Sequence, residues 1–192
     1  SQRAPIANEL YFEGDHEATT TFQTGNPNLD LETSYNIDIG YKSNSEKVAF
    51  EINLFHNWVN DYIYSARTGG TGGDDANPAV NYQQSNAYFI GYEAQLIYHV
   101  MKKGSQDVDL TLFSDYTRGA LNNEGDVPRI PPLRWGLQLD HRNGNWRSNL
   151  RLTRAERQEY SGEFEASTPS YTLLNLNTHY HIENFKKADM VV

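Results

Sequence analysis

Tyr88-Phe89-Ile90-Gly91-Tyr92-Glu93-Ala94-Gln95-Leu96-Ile97-Tyr98-His99-Val100 is the stretch that decides the fold. Its even-numbered positions form an apolar face of Tyr, Ile, Ala, Leu and Val, opposed by Gly91, Glu93 and Gln95. Side chains that change face at every residue mark a β-strand. The alternation runs well past the five or six residues or so usual for strands of soluble sheets.

The same period recurs on both sides of it. Tyr35, Ile37, Ile39 and Tyr41 oppose Asn36, Asp38 and Gly40, and Val48, Phe50, Ile52, Leu54 and Trp58 oppose Ala49, Glu51, Asn53 and Asn57. Later come Val108, Leu110 and Leu112, then Leu133, Trp135, Leu137 and Leu139. Trp146, Leu150 and Leu152 follow, and then Leu174, Leu176, Tyr180 and Ile182. The reading is all-β: seven strands, plus a truncated one at Met190-Val191-Val192. No helical stripe competes.

Composition narrows the class. The chain has 192 residues, a net charge of -9, 38% hydrophobic residues and a mean hydropathy of -0.73. No apolar run approaches the ~18 residues of a membrane helix. The acidic balance, with pI near 5.1, argues against a nucleic-acid partner. The absence of cysteine excludes a disulfide scaffold, a Cys-ligated zinc finger and thiol catalysis. With 13 Tyr, 8 Phe and 3 Trp, the chain is too aromatic for a solvated tail.

Connections alternate in length. Lys42 to Lys47, Met101 to Gln106, Arg142 to Asn145 and Glu183 to Lys187 read as tight turns, with Asn143-Gly144 the clearest hairpin dipeptide. Leu10 to Asp30, Asp61 to Asn81, Gly119 to Pro132 and Ala155 to Tyr171 read as long loops. Short turns at one end and long loops at the other are the layout of an outer-membrane barrel. The non-apolar face is ionic (Glu51, Glu93, Asp109, Asp115, Arg134, Asp140, Arg147, Arg151), which suits a wet lumen, and aromatics gather near strand ends as girdles do. A soluble β-rich binding or adhesion module is the alternative from another class.

Strands in lipid must pair every backbone group, so a sheet there has to close. The truncated last strand and the ionic inner face point to a larger barrel, of which this chain is expected to be a fragment. The start at Ser1 is read the same way.

Ser1 to Tyr11, with Arg3-Ala4-Pro5 and Glu9-Leu10, resembles the "RAP…EL" segment of TonB-dependent outer-membrane receptors. Gly25-Asn26-Pro27-Asn28-Leu29, followed by Leu31-Glu32-Thr33-Ser34, is similar to the family's "GNP-x-L-x-x-E-x-S" element, and Asn60-Asp61-Tyr62-Ile63-Tyr64 fits as well. The resemblance implies an antiparallel transmembrane β-barrel segment of a 22-stranded, plugged barrel in the outer membrane of a Gram-negative bacterium. It also implies uptake of a scarce nutrient with energy from TonB. Residues 1–192 would then be a partial barrel domain lacking the plug, the TonB box and the last strands. Its partners would be outer-membrane lipid, a metal ion or metal chelate, and TonB through the absent plug.

Gly14-Asp15-His16-Glu17-Ala18-Thr19-Thr20-Thr21-Phe22 resembles the "G-x-H-x-A-T-x-x-F" loop of zinc- and haem-uptake receptors. Imidazole and carboxylate suit Zn²⁺, so His16, Asp15 and Glu17 are the candidate metal contacts. Three consecutive residues cannot give tetrahedral geometry unaided, so further ligands must come from elsewhere. His179 and His181, at i and i+2 on one strand face, are a second candidate pair. His56, His99 and His141 lie near strand ends and read as interfacial. Acidic loops (Asp74, Asp75, Glu124, Asp126, Glu156, Glu159, Glu163, Glu165) contrast with basic short turns (Lys42, Lys47, Lys102, Lys103, Arg142, Lys186, Lys187). An acidic mouth attracts cations and repels anionic ferric siderophores, which favours zinc or another divalent metal as cargo. Haem, with His16 as axial ligand, or a ferric siderophore is the alternative. No resident cofactor is assigned, and Zn²⁺ is the expected transported ligand. There is no Gly-x-Ser-x-Gly elbow, phosphate loop or His-Glu-x-x-His, so the chain does not read as an enzyme.

Overall fold

The computed structural model describes residues 1–122, 125–163 and 165–182, with the backbone of 189–191. A short β1 (Gln2–Arg3), a one-turn helix α1 (Ala7–Tyr11) and a small hairpin of β2 (Glu13–His16) and β3 (Thr21–Thr24) precede the wall. The wall is built from β4 (Glu32–Asn44), β5 (Val48–Gly72), β6 (Asn77–Lys103) and β7 (Gln106–Leu121). Beyond β8 (Gly125–Asp126), which folds back on β7, it continues through β9 (Arg134–Asn143), β10 (Trp146–Ala155) and β11 (Tyr171–His181) to β12 (Asp189–Val191). Each long strand pairs antiparallel with its neighbour in sequence, giving the seven expected strands and a stub. The Glu183–Lys187 turn, with Lys186 and Lys187, and Glu124 lie outside the described residues.

Register converts the alternation into two different surfaces. Leu110, Leu139, Leu150 and Leu176 are consecutive cross-strand partners, and so are Leu112, Leu137, Leu152 and Leu174. One residue away, on the opposite face, the row reads Asp109, Asp140, Asn149 and Asn177. The leucine face is uncovered, with Leu174 and Leu176 each 68% exposed. An apolar face of that extent is stable only against lipid.

Aromatic belts bound it. Tyr35, Trp58 and Tyr88 are direct partners at the upper margin, and Trp146 and Tyr180, ring centroids 5.6 Å apart, mark the lower. Tyr88 and Tyr98 bracket ten strand steps, about 33 Å at the usual rise, or about 25 Å of height at a ~40° tilt. That is the thickness of an outer-membrane apolar band. The free edges of β4 and β11 meet only short partners among the described residues, so the wall closes only with further strands.

The loop expected at Asp61 to Asn81 is instead strand. β5 and β6, of 25 and 27 residues, continue above the belt as a hairpin after an irregularity between Val59 and Tyr62. There Asp61 adopts φ 57, its N–H donates to Asn86 Oδ1 at 3.2 Å, and its carbonyl accepts from Gln84 Nε2 at 2.7 Å. Its buried residues Ile63 and Ala66 fall on opposite parities of the period-two pattern, so no alternation betrays it. The turn after Asn143 is a two-residue Gly144-Asn145 connection, with Gly144 at φ 55. The segment between β10 and β11 is irregular, as expected.

The inner face carries a feature absent from the polar pattern. Phe55, Phe89 and Phe113 stand directly opposite Gly91, Gly119 and Gly136 on the next strands. A Cβ on Gly136 would sit 2.4 Å from the Phe113 ring and 2.2 Å from the Leu152 carbonyl oxygen. Each ring thus covers a glycine, a pairing that also lets the sheet curve. Gly136→Ala should destabilise the folded protein by about 1–3 kcal/mol, as overpacking does. The midpoint of its unfolding in urea checks this, and an unchanged midpoint would mean that the ring moves aside freely.

Candidate functional site

The family-like motifs converge in space. Arg3 Nε donates to Glu32 Oε2, and Arg3 Nη1 lies 3.0 Å from both carboxylate oxygens of Glu9. Glu9 Oε2 also accepts from the Ile6 N–H at 2.8 Å, and Glu32 Oε1 from the Ile63 N–H at 2.7 Å, so one guanidinium ties β1, α1, β4 and β5 together. Burial opposes ionisation of Glu32, but hydrogen bonds from Arg3 and Ile63 and the charge of Arg3 outweigh it, holding its carboxyl below the usual range. Gly25 is required by close approach: a Cβ there would lie 2.6 Å from the Leu10 backbone. Asn26 Nδ2 donates to the Tyr82 carbonyl at 3.2 Å, fastening the loop to β6.

The hairpin bearing the candidate metal contacts docks on this base, with β3 pairing in parallel with β6 at Phe22 opposite Ala79. His16 Nδ1 shares a hydrogen bond with Thr19 Oγ1 at 3.0 Å. Thr19 Oγ1 meets Thr21 Oγ1 at 2.7 Å, and Gln23 Nε2 donates to Thr21 at 3.3 Å. This chain of bonds fixes the imidazole, and Nε2 meets no hydrogen-bond partner among the described residues. Asp15 turns elsewhere, its Oδ1 accepting from Asn77 Nδ2 at 2.9 Å, and Glu17 is exposed in the turn. Among the described residues no group of three or more His, Asp or Glu is placed to hold a metal ion. The hairpin therefore offers one oriented imidazole and no closed site.

The other histidines separate. His179 and His181 share the inner face of β11, with His179 directly opposite Arg147, a neighbour that disfavours a cation. His56 stacks on Trp58 at 3.9 Å on the outer face, at the girdle. His99 faces inward, its Nδ1 sharing a hydrogen bond with Asp109 Oδ1 at 2.7 Å that strand-end position alone did not reveal.

Charges on the inner wall are arranged in register. Glu93, Asp115 and Arg134 are consecutive partners, and Arg134 Nε donates to Asp115 Oδ2 at 2.9 Å. Arg151 lies over the Phe113 ring at 3.7 Å. At the mouth, several acids are engaged in holding the loops. Glu163 Oε2 accepts from the Arg67 N–H at 3.2 Å, and Glu165 Oε1 from the Arg129 N–H at 2.5 Å. Glu156 Oε1 accepts from Trp135 Nε1 at 2.9 Å. Val127 is buried against Ala87 and Leu121, with Phe89 and Tyr62 packed on them, so the segment after β8 folds onto the upper wall.

A chain with such a wall has known counterparts. It is similar to a structure named copper transporter OprC, with TM-score 0.76 at 17% identity over 96% of this chain and 28% of that one. The siderophore receptor PirA from Pseudomonas aeruginosa gives TM-score 0.63 at 16% identity, covering 96% of this chain and 32% of that one. The FrpB iron transporter from Neisseria meningitidis (F3-3 variant) gives 0.54 at 11%, covering 84% and 26%. The chain thus spans a third or less of the length of each. Likeness at this identity speaks to the fold, and all three share the antiparallel wall. Residues 1–188 match the family described as TonB dependent receptor-like, beta-barrel, so the chain belongs to that family of outer-membrane barrels.

Proposed function

We propose that this chain forms part of the barrel wall of a receptor that takes up a scarce metal, as ion or chelate, through the outer membrane with energy from TonB. One observation carries the reading: an ionic inner face set in register behind an apolar, belted outer face. The soluble-module alternative fails on that same uncovered leucine face. Within uptake, zinc or another divalent cation is the first reading for cargo. Its support is His16, held through Nδ1, which leaves Nε2 to bind a ligand, in the way that outer hydrogen bonds orient metal-binding imidazoles. Asp15 and Glu17 would add attraction for cations rather than complete a coordination shell. A haem or ferric chelate is the second reading, favoured by the same single imidazole, because a chelate brings its other ligands with it.

Titrating Zn²⁺ into the chelator-treated, detergent-solubilised full-length receptor and its His16→Ala variant separates these. Binding that weakens at least tenfold in the variant, about 1.4 kcal/mol, supports a metal receptor with this hairpin in the site. Unchanged binding returns His16 to the ordinary surface. Absent Zn²⁺ binding moves the test to haem.

A further inference from the structure

We infer that Arg142 and Arg147 form a carboxylate-binding step low on the inner wall, an inference that rests on this face lining the transport lumen. The two arginines are direct cross-strand partners, and His179 stands opposite Arg147 on its other side. Like charges placed directly opposite one another destabilise a sheet, so this basic row calls for an anion. The described residues supply little: Arg142 reaches Asp107 only at 3.7 Å, and the Arg147 side chain makes no hydrogen bond or ion pair with any described residue.

The carboxylates of the next row are already engaged. Asp109 is held by His99, and Asp140 accepts from Gln138 Nε2 and Asn149 Nδ2, each at 2.7 Å. Asp109, Asp140 and Asn149 line one recess with the two arginines. Guanidinium forks fit planar, two-oxygen acceptors. Asp107, Asp109 and Asp140 line the same recess, so selectivity rests on the flat two-oxygen shape of a carboxylate at the guanidinium fork rather than on the ligand's total charge. The carboxylate has two possible sources: an organic-acid chelate in transit, or an acidic side chain from elsewhere in the longer receptor.

Citrate is the probe. It is titrated calorimetrically into the full-length receptor and its Arg147→Gln variant in detergent, and ion conductance of both proteins is recorded in planar bilayers. Citrate binding that weakens at least tenfold in the variant supports a site open to free carboxylates. No citrate binding, with conductance raised several-fold in the variant, supports a carboxylate of the receptor already seated on Arg147. Wild type and variant alike in both measurements overturn the inference. Arg147→Lys, which keeps the charge but not the fork, should fall between the two. Loss of the His16 effect with the Arg147 effect intact sinks the cargo reading alone, and the converse sinks only this inference.

Discussion

Leu150→Arg should weaken folding of the full-length receptor into lipid vesicles by about 2–4 kcal/mol, the cost of an arginine near the bilayer midplane on a barrel's outer face. Leu150 lies on the outer face midway between Trp146 of the lower belt and Arg154, and its partners are Leu139 and Leu176. An arginine there faces hydrocarbon with no acceptor in reach. Asn177→Arg, on the opposite face next to Asn149, should cost less than about 1 kcal/mol, because the lumen is wet. Urea titration of both variants in vesicles measures the difference. A larger loss for Asn177→Arg would mean that the two faces have been assigned the wrong way round.

Arg3→Ala is the second large effect. It leaves Glu9 and Glu32 facing each other without their shared cation, and their side chains are only 12% and 10% exposed. Breaking a buried ion pair typically costs about 3–5 kcal/mol. Arg3 itself is 43% exposed, and solvent screening there brings the expectation to about 2 kcal/mol. The effect has a pH signature. Glu32 is held below its ordinary value near 4.5, so its contribution is fully present above that pH and fades as pH falls through the lowered folded value. Between pH 7 and pH 3 the wild type should therefore lose stability faster than Arg3→Ala. Parallel unfolding curves across that range would show that the guanidinium does not hold the glutamate ionised.

Much of the wall is legible in sequence because lipid on one side and water on the other force period two on each membrane strand. Tyr35 to Tyr41 and Tyr88 to Val100 are read directly for that reason. Legibility ends where the asymmetry ends. Above the belt, cover from β3 and the loops replaces the contrast of lipid and water, and the offset at Asp61 shifts the phase, so residues of a continuous hairpin read as loop. Pairings across strands are equally hidden. Phe113 over Gly136, His99 against Asp109, and Arg142 beside Arg147 depend on register, which no single strand encodes. At the mouth, Arg3, Glu9 and Glu32 are visible as motif letters, but the ion pair that joins them is a property of the fold. His16 is legible as a candidate ligand. That Asp15 turns away to Asn77 is not, since that contact spans 62 residues.

The long hairpin has a consequence for access from outside the cell. From Tyr62 to Gly72, β5 adds eleven residues beyond the offset, about 35 Å of strand at the usual rise. Its tip, Gly73-Asp74-Asp75-Ala76, is small, acidic and turned by positive φ at Gly73 and Ala76. A phage, antibody or protein-borne ligand approaching the cell surface meets that tip before it meets the lumen. A peptide tag placed between Asp74 and Asp75 would stand clear of the wall, at a site where insertion disturbs no ladder pairing.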